Sequence, residues 1–200
     1  MSNANLTLAV LAGGQARRMN GEDKGLIEVA GKPMVQHVLD RLQANTMATM
    51  LISNRNQQRY GELGYPVYSD EVPDFAGPLA GICRALQQAQ TEFVIAVPCD
   101  TPMLPQDLIP QMLATLTEHN ADIVIARDEQ QDHPVLMLLK RNLLGSLQQF
   151  LSDGERKVIR WCQQHHMEYC DFNGQAHAFA NINTPEQKQQ LEQQLLSQNA

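Results

Sequence analysis

One alternation constrains this chain more than any single motif. Short apolar runs recur along it, and stretches with helical spacing separate them. The runs at 6–11 (LTLAVL), 50–52, 66–68, 93–97, 123–126 and 135–139 read as strands. Between them, Met34, Val35, Val38, Leu39 and Leu42 follow Pro33 at helical intervals over 34–44. Pro78 opens a helix over 79–88 with Leu79, Ile82, Cys83 and Leu86 on one face, and Pro105 begins another that runs to about residue 119. Helical patterns follow over 142–150 and 155–165, with short extended pieces at 167–169 and 179–180. Thr184-Pro185-Glu186-Gln187 is a capping box with proline at the first helical position, so a terminal helix is expected. Strands joined by helices demand right-handed crossovers and a mainly parallel sheet covered on both faces, a three-layer α/β/α arrangement. The pattern is least regular after residue 126, so antiparallel strands are expected in the C-terminal half.

Two hundred residues can bury the core of one domain, expected here to span 1–200. A formal net charge of -7 argues against broad nucleic-acid binding, which needs a basic face, but leaves room for a small anion in a local positive pocket. The polar start, MSNAN, lacks a signal-peptide pattern, and no apolar run is long enough to span a membrane, so a cytoplasmic location is expected. Cys83, Cys99, Cys162 and Cys170 form no CxxC pair and read as core or loop thiols. Cys162, His165, His166 and Cys170, with His177 beyond, are zinc-ligand types, but their spacing matches no standard zinc pattern; a helix end running into a strand accounts for them.

Open parallel sheets hold ligands beyond the carboxyl ends of their strands, which points to the loops leaving Leu11, Ile52, Tyr68 and Val97. The first of these reads LAGGQARRMNGEDKG. Gly13 and Gly14 let backbone amides approach an anion, and Arg17, Arg18 and Lys24 add positive charge. The glycine spacing fits neither the Walker loop nor the dinucleotide fingerprint. Asp100, in VPCDTP, stands at a strand's carboxyl end, where a carboxylate can hold Mg²⁺ or cap a turn.

Leu11-Ala12-Gly13-Gly14, with Arg18, Met19, Gly21, Asp23 and Lys24, resembles the signature loop of nucleotidyltransferases with a Rossmann-like domain. The resemblance is most detailed to the bacterial molybdenum cofactor guanylyltransferases. It continues through Gly31-Lys32-Pro33, Ser69-Asp70, Gly77-Pro78-Leu79-Ala80-Gly81, Pro98-Cys99-Asp100-Thr101-Pro102, Asp132-His133-Pro134 and Asn181-Ile182-Asn183-Thr184-Pro185-Glu186, nearly the whole chain.

That resemblance implies transfer of GMP from GTP to molybdopterin carrying molybdenum, with release of pyrophosphate and with Mg²⁺ as cofactor. It implies that the N-terminal half binds GTP and the C-terminal half molybdopterin, and that a monomer can act, handing product to a molybdoenzyme or its chaperone. Lys24, Asp100 and Arg18 are the implied catalytic residues, with Asp100 as metal ligand, and Arg17 reads as solvated. The implied GTP-binding set is Leu11, Ala12, Gly13, Gly14, Lys24, Asn54, Asp70, Pro78, Leu79 and Asp100. On the pterin side stand Asp132, His133, Arg156, Asn181 and Asn183; alternation puts both asparagines on one face and Ile182 on the other. Arg156 falls in the expected first turn of a helix, where the dipole disfavours a cation, a placement that hints at phosphate recognition. A pterin phosphate is already ionised near neutral pH, so the reaction needs no strong base, and no nucleophile triad is evident. The alternatives are a molybdopterin cytidylyltransferase, another sugar- or alcohol-phosphate nucleotidyltransferase, and a GTP-binding carrier without transfer activity.

Overall fold

The computed structural model describes residues 4–12, 23–70, 77–182 and 184–198. Its centre is a seven-stranded sheet built from β1 (Ala4–Leu11), β4 (Thr46–Ile52), β5 (Val67–Tyr68), β6 (Phe93–Pro98), β7 (Ile123–Arg127), β8 (Asp132–Lys140) and β9 (Met167–Asp171). A small antiparallel hairpin, β2 (Glu28–Val29) and β3 (Lys32–Pro33), lies outside it. The strand order is β5-β4-β1-β6-β8-β7-β9. Neighbours are parallel except at β8, which runs against both β6 and β7. The mixed sheet expected for the C-terminal half is therefore produced by one reversed strand.

Alternation along β1 explains the layering. Leu6, Leu8 and Val10 face a core completed by α1 (Met34–Leu42) and α4 (Leu108–Glu118), while Ala9 faces a second core filled by α3 (Pro78–Gln88), α5 (Leu144–Ser152) and α6 (Val158–Cys162). The helices behave as their spacing requires: Met34, Val35, Val38, Leu39 and Leu42 of α1 are all buried, as are Leu79, Ile82, Cys83 and Leu86 of α3. A third, smaller cluster joins Ile27, Val29 and Met34 to Ile182 and to Leu191 of α7 (Pro185–Gln198). The capping box ahead of α7 forms reciprocally: Gln187 N–H donates to Thr184 Oγ1 (3.3 Å), and Gln187 Oε1 accepts from Thr184 N–H (3.1 Å).

Several elements differ from the sequence expectation. β4 begins at Thr46, well before the apolar run at 50–52, because Thr46 and Ala48 pair with β1 beyond that run. The helix expected from Pro105 starts at Leu108, after a turn closed by Leu108 N–H on the Pro105 carbonyl. The helix expected over 155–165 shrinks to α6, since Gly154 has φ +82° and Lys157 is extended. Residues 179–180 are not a strand; Ala176–Phe179 forms a 3-10 turn that buries Ala178 and Phe179. Two elements carried no sequence signal: the β2–β3 hairpin, turned by Ala30 and Gly31 at positive φ, and α2 (Gln57–Gly61).

Candidate functional site

β1 is the switch point of the sheet. The chain moves outward from it through β4 to β5, then returns to place β6 on its other side. Adjacent loops diverge there and leave a crevice. Two ladder bonds prolong the strands to its lip, Ala12 N–H to the Ile52 carbonyl (2.8 Å) and Cys99 N–H to the Leu11 carbonyl (3.1 Å). The crevice is a cavity of about 400 Å³, within the range of small-molecule sites.

Leu11, Ala12, Lys24, Asn54, Asp70, Pro78 and Asp100, all expected at the nucleotide, line it together. Lys24 Nζ donates to Asp100 Oδ2 at 3.1 Å, with the two side chains 23% and 14% exposed. Asn54 and Asp70 grip one another: Asn54 Nδ2 donates to Asp70 Oδ2 (2.9 Å), and Asp70 N–H donates to Asn54 Oδ1 (3.0 Å). This fixes the Asn54 amide and leaves one of its N–H groups for a ligand acceptor. Leu79 departs from the set. Its side chain is fully buried in the α3 core, and Gly77, Pro78 and Gly81 border the cavity instead. Gly81 is there for closeness, since a Cβ would sit 3.2 Å from Leu11 Cδ2 and 3.4 Å from Ile52 Cγ2. Gly13, Gly14, Arg17, Arg18 and Asn183 lie outside the described residues.

Asp100 is held from behind. Thr101 Oγ1 closes its turn on the Pro98 carbonyl (3.2 Å), and Ile182 N–H donates to the Asp100 carbonyl (3.0 Å). The segment carrying Asn181 thus reaches the carboxylate's own peptide. Ile182 is buried and Asn181 exposed, as alternation required.

The reversed strand explains how the residues expected on the pterin side reach this edge. Because β8 runs backward, its first residues lie where the parallel strands end, and Val135 lines the cavity. His133 Nε2 meets the buried Asp128 Oδ2 at 2.8 Å, and its ring stacks on Phe179 with centroids 4.8 Å apart. Burial pushes the Asp128 carboxyl up, but hydrogen bonds from His133 and the Gln130 and Gln131 amides outweigh it and hold the group below its ordinary range. Asp132 Oδ1 accepts from Arg127 Nε (2.6 Å), and that guanidinium lies 3.6 Å over the Tyr169 ring. Arg156 is elsewhere. It precedes α6, and its Nη1 donates to the Leu151 carbonyl near the end of α5 (2.8 Å) and to the Glu155 carbonyl (2.7 Å). The helix-dipole misfit expected of it therefore does not arise, because it is not in a helix; it is not among the cavity-lining residues.

Sequence reasoning passed over Ser53, Cys99 and Val135 at the cavity, and the work of Asp23. Val135 gave no signal, since strand direction is not written in apolar periodicity; Asp23 stood in the resembling loop without an assigned role. Among the described residues, no three His, Cys, Asp or Glu side chains converge as a metal cluster. Cys162 and Cys170 face opposite cores, and burial pushes the Cys162 thiol up to about 12. Also among the described residues, no helix is long and apolar enough to cross a membrane.

Residues 8–168 match the model of the MobA-like NTP transferase domain. The chain is 49% identical over 182 residues to a molybdenum cofactor guanylyltransferase of Shewanella loihica, spanning 91% of this chain and 93% of that protein. It is 45% identical over 188 residues to the same-named protein of Shewanella halifaxensis, 94% of each. Molybdopterin-guanine dinucleotide biosynthesis protein A from Archaeoglobus fulgidus shares the fold, with a TM-score of 0.76 at 20% identity over 96% of this chain and 99% of that one. A CMP:2-keto-3-deoxy-manno-octonic acid synthetase complexed with CTP superposes with the same TM-score of 0.76 at 12% identity, over 98% and 99% of the two chains. By sequence and by fold, the chain belongs to the MobA-like NTP transferase family, as an enzyme of the nucleotidyltransferase class.

Proposed function

We propose that the chain transfers GMP from GTP to molybdopterin carrying molybdenum, forming molybdopterin guanine dinucleotide and releasing pyrophosphate. The observation that carries this reading is the convergence of Lys24, Asn54, Asp70 and Asp100 on one cavity at the sheet's switch point. The names of relatives similar over nine-tenths of the chain favour guanylyl over cytidylyl transfer. The chain acts as one unit over 1–200, with its N-terminal half on GTP and its C-terminal half on the pterin. We place the reaction in the cytoplasm, with a molybdoenzyme or its chaperone receiving the product.

A phosphate oxygen of molybdopterin attacks the α-phosphorus of GTP; the new O–P bond forms as the bond to the β-phosphate oxygen breaks, and pyrophosphate leaves with that electron pair. The nucleophile is already anionic, so the protein's task is alignment and charge neutralisation. Lys24 supplies a compact cation to the triphosphate. Arg18 adds a second charge at the leaving group, and the Gly13–Gly14 amides a third contact. The fixed Asn54 amide and the Asp70 carboxylate hold the nucleoside, with the main chain at Leu11, Ala12, Pro78 and Leu79 around the base. Asp132, His133, Asn181 and Asn183 receive the pterin along the rim. Arg156 serves at most the outer pterin surface, given its main-chain partners.

Magnesium is commonly held by one or two carboxylates together with substrate phosphates and water, and Asp100 at the cavity wall fits that donor set. When bound there, the ion neutralises charge on the phosphate oxygens. The deciding experiment is pyrophosphate release from GTP, CTP, UTP and ATP, each with Mg²⁺ and molybdopterin. Release is expected with GTP; release with CTP instead, or GTP binding without release, would replace this reading.

A further inference from the structure

Asp23 adjoins Lys24, and its carboxylate is unusually engaged. Oδ1 accepts from the Tyr60 hydroxyl at 2.5 Å and from Gly25 N–H at 3.3 Å; Oδ2 accepts from Asn56 Nδ2 at 3.1 Å. Tyr60 is fully buried, and burial, the nearby Cys99 thiol and Asp23 itself all push its phenol up, so it stays protonated and donates. The Gly25 bond caps the 3-10 turn Lys24–Leu26, which is also closed by Leu26 N–H on the Asp23 carbonyl (3.0 Å). Gly25 itself is wedged: a Cβ there would strike the Tyr60 hydroxyl and lie 3.2 Å from Cys99 Sγ. One carboxylate thus ties the turn that carries Lys24 to α2, while Gly25 presses that turn against the end of β6, next to Asp100.

We propose that Tyr60 and Asn56, acting through Asp23, are positioning residues for the triphosphate: they set the turn whose Lys24 ammonium meets the phosphates. The inference rests on the reading of Lys24 as a phosphate ligand. It explains why α2, a helix with no clear sequence signal, stands where it does. The buried hydroxyl of Tyr60 in α2 and the surface amide of Asn56, the residue just before it, both end on Asp23. Asn56 reaches it from a left-handed backbone conformation, φ +48°, that asparagine tolerates.

The test compares GTP with GMP, because a displaced Lys24 weakens only the ligand that carries the β- and γ-phosphates. Affinities of both nucleotides are measured with Mg²⁺ for the wild type, Tyr60→Phe, Asn56→Gly, Lys24→Ala and Lys24→Ala/Tyr60→Phe. Asn56→Gly keeps the left-handed backbone and removes only a surface amide, so it serves even if Tyr60→Phe folds poorly. Losing one hydrogen bond to a charged group should lower the GTP-to-GMP affinity ratio about tenfold in each single hub variant and leave GMP affinity unchanged. Lys24→Ala should lower the ratio further, and adding Tyr60→Phe to it should cost nothing more, since both act through one ammonium. Equal losses for GTP and GMP, or losses that add to those of Lys24→Ala, would reduce the hub to a folding element. A silent Tyr60→Phe beside a damaging Lys24→Ala sinks the hub alone. A silent Lys24→Ala sinks the phosphate reading and the hub together.

Discussion

The ammonium of Lys24 lies 3.1 Å from Oδ2 of Asp100, across 76 positions of sequence. The pair brings the loop after β1 and the loop after β6 to one point, and each side chain offsets the other's charge in a sheltered place. An incoming triphosphate offers that ammonium a more strongly charged partner. On the proposed reading, phosphate and carboxylate compete here for one cation.

Lys24→Ala should lower kcat/KM for GTP on the order of 10²-fold, the usual cost of removing one charge-stabilising donor. Thermal unfolding should change little, because the lysine is partly exposed. Pyrophosphate release beside a melting curve separates the two, and normal turnover would remove Lys24 from the site.

Asp100→Ala should cost on the order of 10³-fold in turnover and flatten its dependence on Mg²⁺ concentration. The readout is a Mg²⁺ titration of initial rate. A variant with the wild-type midpoint would show that another group holds the ion.

Asn181→Asp places a negative charge on the rim, one residue from the amide that holds Asp100. Molybdopterin should bind about tenfold more weakly through like-charge repulsion. GTP affinity should stay within roughly twofold, as for a surface change away from the nucleotide. Equal losses for both substrates would mean that their halves of the site are wrongly divided.

Gly25→Ala forces a methyl group toward the Tyr60 hydroxyl and Cys99 Sγ. Overpacking of this kind costs about 1–3 kcal/mol. Urea unfolding should show that loss together with weaker GTP binding, because the same turn carries Lys24. Wild-type stability would mean that the turn has room to shift.

Asp128 sets an acid limit. Its folded carboxyl titrates below the ordinary value, so its contribution is complete above the unfolded value near 3.9 and is lost as pH falls through the lower folded one. Asp128→Asn should be less stable by about 2 kcal/mol at neutral pH, with the gap closing in that acid window. Denaturant midpoints measured from pH 7 down to pH 2 supply the check; a gap independent of pH would assign the loss to packing around His133.

Much of this arrangement was legible beforehand. Apolar runs and proline-led helices located β1, β6, α1 and α3, because a strand buried on both faces leaves a continuous apolar run and a helix buried on one face a periodic one. The loop residues Lys24, Asn54, Asp70 and Asp100 could be named from their place after strands and from resemblance, and they share one cavity. What stayed hidden depends on contacts distant in sequence. The direction of β8 is set by its pairing with β6 and β7. The contact between α2 and Asp23 spans 37 residues of sequence. Arg156 looked like a phosphate ligand because a helix was expected around it; Gly154, at positive φ, ends that helix before it begins. Leu79 was named together with Pro78 as one loop; the pitch of α3 turns its side chain into the core.

The amide of Ile182 on the carbonyl of Asp100 has a temporal consequence. Translation delivers the strands and loops around Asp100 first, yet the peptide of Asp100 gains this tie only when residue 182 has emerged. The turn at Asp100 is therefore fastened late, by a segment synthesised after every strand of the sheet.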